Sequence, residues 1–244
     1  MRNIKLIIEY DGTNYFGWQK QPNQISVQET IEEAIEKITK EKVDIYGSGR
    51  TDRGVHARGQ VANFLTDSRI PGEKFKDAIN SVLAADIAII YSEEVDQSFH
   101  SRYSAKGKEY RYVFYNRRVP SPLLRNFAYH VPQKLHFDLM QEAADDLIGT
   151  HDFIAFMASG SSVKDTIRTI YNVHLSKDHE MIELRINGDG FLYNMVRIIA
   201  GTLVDIGIGK IDSKCIPEII SSKDRKNAGH TAPPHGLYLE KVLY

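Results

Sequence analysis

The sequence predicts an α+β protein built from two similar halves. Apolar residues recur at strand spacing and at helix spacing in the order β-α-β-β-α-β, and this order occurs twice along the 244 residues. A chain with this order forms an antiparallel sheet with helices on one face. We therefore expect two α/β halves, residues 1–104 and residues 105–244, that form an extended antiparallel sheet with a central cleft, a common place for ligand sites.

The first half begins with an alternating segment that is typical of a strand. Ser26 and Glu29 form a capping box ahead of the first helix, and Pro71 opens the second. The predicted strands of this half are residues 3–10, 43–46, 60–65 and 87–91. The side chains expected to be buried by its two helices are Ile31, Ala34, Ile35 and Ile38, and then Phe75, Ile79, Val82 and Leu83.

The second half repeats the same order of elements. Its strands are predicted at residues 109–115, 166–175, 181–186 and 237–243. A helix over residues 138–148 is expected to bury Leu139, Ala143, Leu147 and Ile148. A second helix is expected over residues 193–206, and a short additional one follows Asp212.

We expect a cytoplasmic protein without a signal peptide or a membrane segment. No apolar run approaches the roughly 20 residues that span a bilayer. Cys215 is the only cysteine, so an internal disulfide is excluded. The formal net charge of −1 indicates no polyanionic partner on average, although a local patch can bind one.

One segment, residues 102–118, is locally basic. It carries six lysine or arginine residues against Glu109 alone, and five aromatic residues lie among them. Such a segment suits an RNA-binding surface, because phosphates pair with the cations and unpaired bases stack on the rings. It equally suits a partly exposed strand with a solvated charged face.

Residues 47–58 carry the most distinctive motif, in which three glycines and three arginines surround Asp52. Glycine lets the backbone approach a ligand closely, and the flanking Arg50 and Arg53 favour an ionised carboxylate. With Arg58 they attract phosphate, so the loop suits an enzyme that binds a polyanion and attacks it. The alternative is that Thr51 or Asp52 caps a helix or closes a turn.

Two other features have open interpretations. Arg197 lies in the apolar helix 193–206 and needs a partner, which is either structural or Asp52 across the cleft. Residues 10–19 form a polar and aromatic loop that suits RNA contact or packing over the end of a sheet. Histidines lack the spacing of a zinc site, and residues 207–211 lack the Ser or Thr of a phosphate-binding loop, so we expect no metal and no cofactor.

The chain resembles the tRNA pseudouridine synthase A family from end to end. The segments that carry the resemblance are Tyr10-Asp11-Gly12-Thr13 to Gly17-Trp18-Gln19, Ser26-Val27-Gln28, Gly49-Arg50-Thr51-Asp52-Arg53-Gly54-Val55-His56-Ala57, Gly59-Gln60-Val61, Tyr110-Arg111-Tyr112, Gly149 to Phe153, Gly190-Phe191-Leu192 with Met195-Val196-Arg197, and Gly236-Leu237-Tyr238-Leu239. The sequence departs from the family at Asn63, where relatives often have histidine, and at Ser101, where they often have alanine.

The resemblance implies a cofactor-independent isomerase that converts uridine to pseudouridine at positions 38, 39 and 40 of the tRNA anticodon stem-loop. It implies the pseudouridine synthase fold, a basic RNA-binding cleft and a homodimer, with neither DNA nor a membrane as a partner. The alternative is a catalytically silent protein that binds or folds tRNA with the same cleft.

The resemblance also implies roles for individual residues. Asp52 matches the nucleophile and Arg197 the basic residue that pairs with it. Tyr110 matches the aromatic residue that stacks on the target uracil, Leu237 the apolar contact beneath the base, and Arg50 an arginine that helps the base to leave the stem. Residues 1–104 would then carry the nucleophile, and residues 105–244 the stacking tyrosine and the partner arginine. Arg53 and Arg58 are expected to contact the RNA backbone or to be structural.

Overall fold

The computed structural model describes residues 1–160 and 163–244, and strands and α-helices are interspersed along them. In chain order the elements are β1 (Arg2–Tyr10), α1 (Val27–Thr39), β2 (Tyr46–Gly47), β3 (His56–Thr66), α2 (Phe75–Asn80), β4 (Ile87–Val95), β5 (Gly107–Asn116), β6 (Tyr129–Val131), α3 (Phe137–Asp145), β7 (Gly149–Asp152), β8 (Ile167–Asp178), β9 (Met181–Gly188), α4 (Met195–Gly207), α5 (Ile216–Ser222) and β10 (Leu237–Leu243). The predicted α+β class is confirmed.

The first structural unit contains residues 1–106 and 238–244. Its strands lie in the order β4-β1-β3-β10, with the short β2 beside β3. β1 is antiparallel to both of its neighbours, whereas β10 runs parallel to β3, with Tyr238 opposite His56. The first unit therefore includes β10 from the C-terminal end of the sequence. The predicted halves, residues 1–104 and 105–244, assign that strand to the second half instead.

The second structural unit contains residues 107–237. Its strands lie in the order β5-β9-β8-β7, all antiparallel, and β6 adds to β5 in parallel. β9 alternates between half-buried and buried positions along its whole length, because one of its faces packs on the core. β6 and β7 are additions to the predicted order.

The predicted start of α1 is confirmed, whereas part of the predicted buried faces of α2 and α3 is wrong. Ser26 caps α1 as predicted, since its side chain accepts a hydrogen bond from the Glu29 N–H at 3.3 Å. α2 ends at Asn80, so Val82 lies beyond the helix and is exposed, contrary to the prediction. In α3 the inward residue is Met140, and the expected burial of Leu139 is wrong.

Ile148 is likewise exposed, although its burial was predicted. The strand predicted at residues 43–46 is present only as Tyr46–Gly47, whereas β10 has the predicted bounds. None of the helices in the part of the chain that the structure describes is long and apolar enough to cross a membrane.

Candidate active site

The loop that carries Asp52 spans residues 48–55, between β2 and β3. Its entrance is fixed by Gln60, a fully buried side chain on β3. The Ser48 hydroxyl donates to Gln60 Oε1 at 2.6 Å, and Gln60 Nε2 donates to the Gly49 carbonyl oxygen at 2.9 Å. The first two residues of the loop are therefore hydrogen-bonded to a buried side chain of β3, which fixes the direction in which the loop leaves the sheet.

Asp52 begins a four-residue turn that returns the chain to β3. Its carbonyl oxygen accepts the Val55 N–H at 3.1 Å. Gly54 has a φ of +76°, which glycine adopts at little cost. The strand starts at His56 and no helix follows the loop, so the helix-capping alternative for Thr51 and Asp52 is wrong. The turn-closing alternative is confirmed for the Asp52 backbone.

The segment from Tyr10 to Trp18 packs against this loop and binds Thr51. The hydroxyls of Tyr10 and Thr51 are 2.7 Å apart in a buried hydrogen bond, and the Trp18 N–H donates to the Thr51 carbonyl oxygen at 3.0 Å. A Cβ at Gly17 would lie only 2.5 Å from that same oxygen. Of the two interpretations of this loop, packing is confirmed for Tyr10 and Trp18. They hold the residue next to Asp52.

The three arginines of residues 47–58 have different surroundings. The Arg53 guanidinium carbon lies 4.2 Å from the centre of the Phe16 ring, a cation–π contact. Arg58 Nη1 lies 3.4 Å from Glu240 Oε1, in a half-exposed ion pair. Arg50 is exposed. The first two are thus partly engaged by the protein itself, and Arg50 projects at the surface.

Sequence reasoning gave no role to His56, which is buried directly after the loop. Its Nδ1 accepts the Gly12 N–H at 3.0 Å, and its ring stacks on Tyr238 with centroids 4.8 Å apart. His56 therefore connects the segment after β1 to β10 at the foot of the Asp52 loop. Its position in the Gly54-Val55-His56-Ala57 segment was the only signal in the sequence.

In the second unit, Tyr110 lies on β5 opposite Ile186 of β9. Its side chain is 9% exposed, and its ring meets the Phe191 ring edge-on, with centroids 5.2 Å apart and planes at 84°. Because Phe191 belongs to the connection between β9 and α4, this contact fixes the orientation of the tyrosine ring relative to that helix.

Arg197 lies in the first turn of α4 and is half-buried. Its Nε donates to the Ala232 carbonyl oxygen at 2.8 Å, and its Nη1 donates to Asn194 Oδ1 at 2.7 Å. The Arg197 carbonyl oxygen in turn accepts the Ala232 N–H at 3.0 Å. Structural partners for Arg197 are therefore confirmed, and its pairing with Asp52 stays a prediction.

Tyr112 and Arg197 both bind the segment that precedes Leu237. The Tyr112 hydroxyl donates to the Pro233 carbonyl oxygen at 2.7 Å, and a Cβ at Gly236 would lie 2.7 Å from the Tyr112 ring. Burial raises the pKa of Tyr112 well above its usual value, and the positive charge of Arg197 opposes that shift. Tyr110 is two residues away on the same face of β5, so the second unit gathers its three predicted site residues around Tyr112.

In the basic segment 102–118 most of the aromatic side chains pack inward. Four of its five aromatic side chains are buried, at Tyr110, Tyr112, Phe114 and Tyr115. Arg111 Nη1 pairs with Glu183 at 2.9 Å on the neighbouring strand. Over β5 the predicted strand is confirmed, and contact of this segment with RNA stays a prediction. Tyr103 is the exception, since 77% of it is exposed.

Among residues 1–160 and 163–244, no group of three or more His, Cys, Asp or Glu side chains is arranged to hold a metal ion. The arrangement instead offers a carboxylate on a braced turn in one unit, and an arginine, a tyrosine and a leucine around Tyr112 in the other.

Comparison with known proteins gives consistent results. A family model described as tRNA pseudouridine synthase matches residues 6–104 and 143–244. The tRNA pseudouridine synthase A of Acetivibrio thermocellus is 60% identical over 244 residues, which cover 100% of both chains. That of Caldicellulosiruptor bescii is 55% identical, again over 100% of both. A solved archaeal box H/ACA sRNP Nop10-Cbf5 complex has a TM-score of 0.38 at 11% identity, over 83% of this chain and 44% of that chain.

Proposed function

Because this chain belongs to the tRNA pseudouridine synthase family, it is an isomerase that converts uridine to pseudouridine in tRNA, and we propose that its targets are positions 38, 39 and 40 of the anticodon stem-loop. The observation that carries the proposal is the braced turn of Asp52, within the segment that most strongly resembles the family. A nucleophilic carboxylate must be held in a fixed direction, and the contacts of Thr51 support the proposal because they hold the backbone next to Asp52.

The target uridine must first leave its helix, at a cost of a few kcal/mol. Stacking on the Tyr110 ring offsets about 1–3 kcal/mol of that cost. We assign Leu237 to the apolar contact beneath the base. Arg50 is exposed and suits the remaining task, which is to contact the nucleotide as it swings out.

The chemistry then needs one carboxylate and no cofactor. The ionised Asp52 carboxylate attacks either C1′ of the ribose or C6 of the ring, and the bond between N1 and C1′ breaks. The uracil rotates, C5 bonds to C1′, and the bond between Asp52 and the substrate breaks, which regenerates the carboxylate. The C5 proton is released to solvent while N1 gains one. The product is an isomer of the substrate, so no other reactant is consumed.

Arg197 is proposed to pair with Asp52 and to favour its ionised form, because a nearby positive charge lowers the pKa of a carboxyl group. A guanidinium has five N–H donors, so its bonds to Ala232 and Asn194 are compatible with binding a carboxylate. These bonds also restrict the side chain to one orientation, which is what a catalytic ion pair requires.

The remaining assignments concern partners and location. Arg53 and Arg58 are proposed to help to hold the RNA backbone, in addition to their contacts with Phe16 and Glu240. We further propose a homodimer that acts in the cytoplasm and binds neither DNA nor membranes. These last assignments rest on the family resemblance and on composition.

The test is release of tritium from tRNA labelled at uracil C5. The wild-type protein is expected to release label from tRNAs with uridine at positions 38, 39 or 40, whereas Asp52→Asn should release none and still bind the tRNA. Full activity in Asp52→Asn would refute the assignment of the nucleophile. Binding without release by the wild type, on several such tRNAs, would favour the catalytically silent alternative.

A further inference from the structure

An aromatic and cationic cluster lies at the surface of the first unit, formed by Tyr46, His100, Arg102 and Tyr103. The rings of Tyr46 and His100 have centroids 5.3 Å apart, and those of His100 and Tyr103 are 4.4 Å apart. The Arg102 guanidinium carbon lies 5.8 Å from the centre of the Tyr103 ring. Tyr46 is 46% exposed and Tyr103 is 77% exposed, so ring surface that water solvates poorly is left open.

The turn that carries this cluster is held rigidly from inside. Ser101 is fully buried, and its N–H donates to Asn63 Oδ1 at 2.9 Å. Its hydroxyl donates to the Tyr46 carbonyl oxygen, and its carbonyl oxygen accepts the Tyr244 hydroxyl at 2.7 Å. The two departures from the family pattern, Asn63 and Ser101, are thus hydrogen-bonded to each other beneath the cluster. They connect the turn to β2 and β3.

The sequence separation limits how far Tyr46 of the cluster can lie from Asp52. Tyr46 precedes Asp52 by six positions in the sequence, and six residues span at most about 20 Å when fully extended. Successive stacked bases of one strand rise by about 3.4 Å, so 20 Å corresponds to about six nucleotides. The cluster is therefore near enough to Asp52 for both to contact one stem-loop.

We propose that Tyr46, His100 and Tyr103 form a stacking platform for an unpaired nucleotide of the substrate's anticodon loop, with Arg102 on its phosphate. The proposal rests on the proposed function for the identity of the RNA. Aromatic rings stack on any base, so such a platform holds the loop without restricting its sequence. An arginine beside the rings supplies the charge that a phosphate needs. Base pairs inside a stem are stacked on both faces, so we assign the platform to an unpaired nucleotide.

The test uses the full-length protein and an anticodon stem-loop RNA in which single abasic nucleotides replace the loop residues, one at a time. Tyr103→Ala is expected to weaken binding of the intact RNA about tenfold, the lower end of the loss that follows removal of a stacking ring. Tyr103→Phe keeps the ring and should bind within twofold of wild type. Since Tyr103 is largely exposed, neither change should disturb folding.

The decisive result is a coupling between one loop position and Tyr103. At that position, the wild type should bind the abasic RNA about tenfold more weakly than the intact RNA. Tyr103→Ala should bind the abasic and the intact RNA equally well. Tyr91→Ala is the matched control, because Tyr91 is an exposed tyrosine of the same unit that stands beside Glu93 and should not contact RNA.

Arg102→Gln is expected to reduce the slope of log K against log salt concentration by about 0.7, the value for one phosphate contact to a single strand. The platform is refuted if Tyr103→Ala binds like the wild type. It is also refuted if, at every loop position, the loss of affinity from Tyr103→Ala and the loss from the abasic substitution multiply. An unchanged salt slope refutes the role of Arg102. Tritium release by the wild type is measured in parallel. Its absence would refute the proposed function, while the binding data would still decide the platform.

Discussion

Replacing Gly17 with alanine is expected to slow pseudouridine formation about 100-fold without weakening tRNA binding. The new Cβ would lie 2.5 Å from the Thr51 carbonyl oxygen and 3.1 Å from the Asp52 carbonyl carbon. Carbon and oxygen need about 3.3 Å even in a close C–H···O contact, so the loop must retreat by roughly 0.8 Å. A displacement of about 1 Å at a reacting group costs about 10²-fold in rate.

The backbone adds a second penalty. Gly17 has a φ of +88°, a conformation that costs an L-residue about 1–2 kcal/mol. Gly209→Ala is the matched control, because Gly209 has a φ of +77° and nothing among the described residues lies within 4 Å of a Cβ built there. It should pay a similar backbone penalty, without the steric one, and keep the wild-type rate.

Single-turnover tritium release with excess enzyme measures the rate, and equilibrium binding of the same RNA measures affinity. Urea unfolding of both variants measures stability. If Gly17→Ala reacted within threefold of wild type, the idea that this backbone contact sets the position of Asp52 would be wrong. Equal slowing in Gly209→Ala would show that lost stability, not displacement, is responsible.

Three other perturbations have defined outcomes. Tyr10→Phe leaves the buried Thr51 hydroxyl without this partner and should lower the free energy of unfolding in urea by about 1–3 kcal/mol. The double variant Tyr10→Phe with Thr51→Val should recover most of that loss. Equal losses in the single and double variants would contradict this. Burial raises the pKa of Asp205, but hydrogen bonds from His230 outweigh it and hold the pKa below its usual value, so this stabilisation is present at neutral pH. It should fade as pH falls below roughly 4, and the stability gap between wild type and Asp205→Asn should then narrow in urea unfolding, whereas a gap that widened would refute the sign. Arg50→Ala should change stability by less than about 0.5 kcal/mol and should lower the salt slope of tRNA binding by about 0.7–0.9, and an unchanged slope would exclude a phosphate contact.

Local signals in the sequence predicted the elements well where one residue type determines the outcome. Ser26 starts α1 because its side chain accepts a backbone N–H of the first turn. In α3, by contrast, neighbouring apolar residues occur at 139–140 and again at 147–148, so periodicity allows two phases of the helix. Packing of α3 against β8 and α4 selects the phase that buries Met140 and Leu147.

The candidate site was predictable as a set of residues but not as an arrangement. Asp52 and its arginines are adjacent in the sequence, so composition alone identified the loop. The contacts that position it, such as Tyr10 with Thr51, join residues far apart in the chain, and no local pattern encodes them. The stacking cluster was hidden for the same reason, since Tyr46 meets His100 only after folding.

The placement of β10 has a consequence for biosynthesis. Arg58 and Glu240 are 182 residues apart, and the Tyr244 hydroxyl reaches Ser101 across 143 residues. Synthesis proceeds from the N-terminus, so the unit that carries Asp52 must wait for residues 107–237 to be made before its parallel edge is filled. Until then His56 lacks the Tyr238 ring on which it stacks. Maturation of the loop that carries Asp52 is thus coupled to translation of β10, and the nascent chain has an open sheet edge in the meantime.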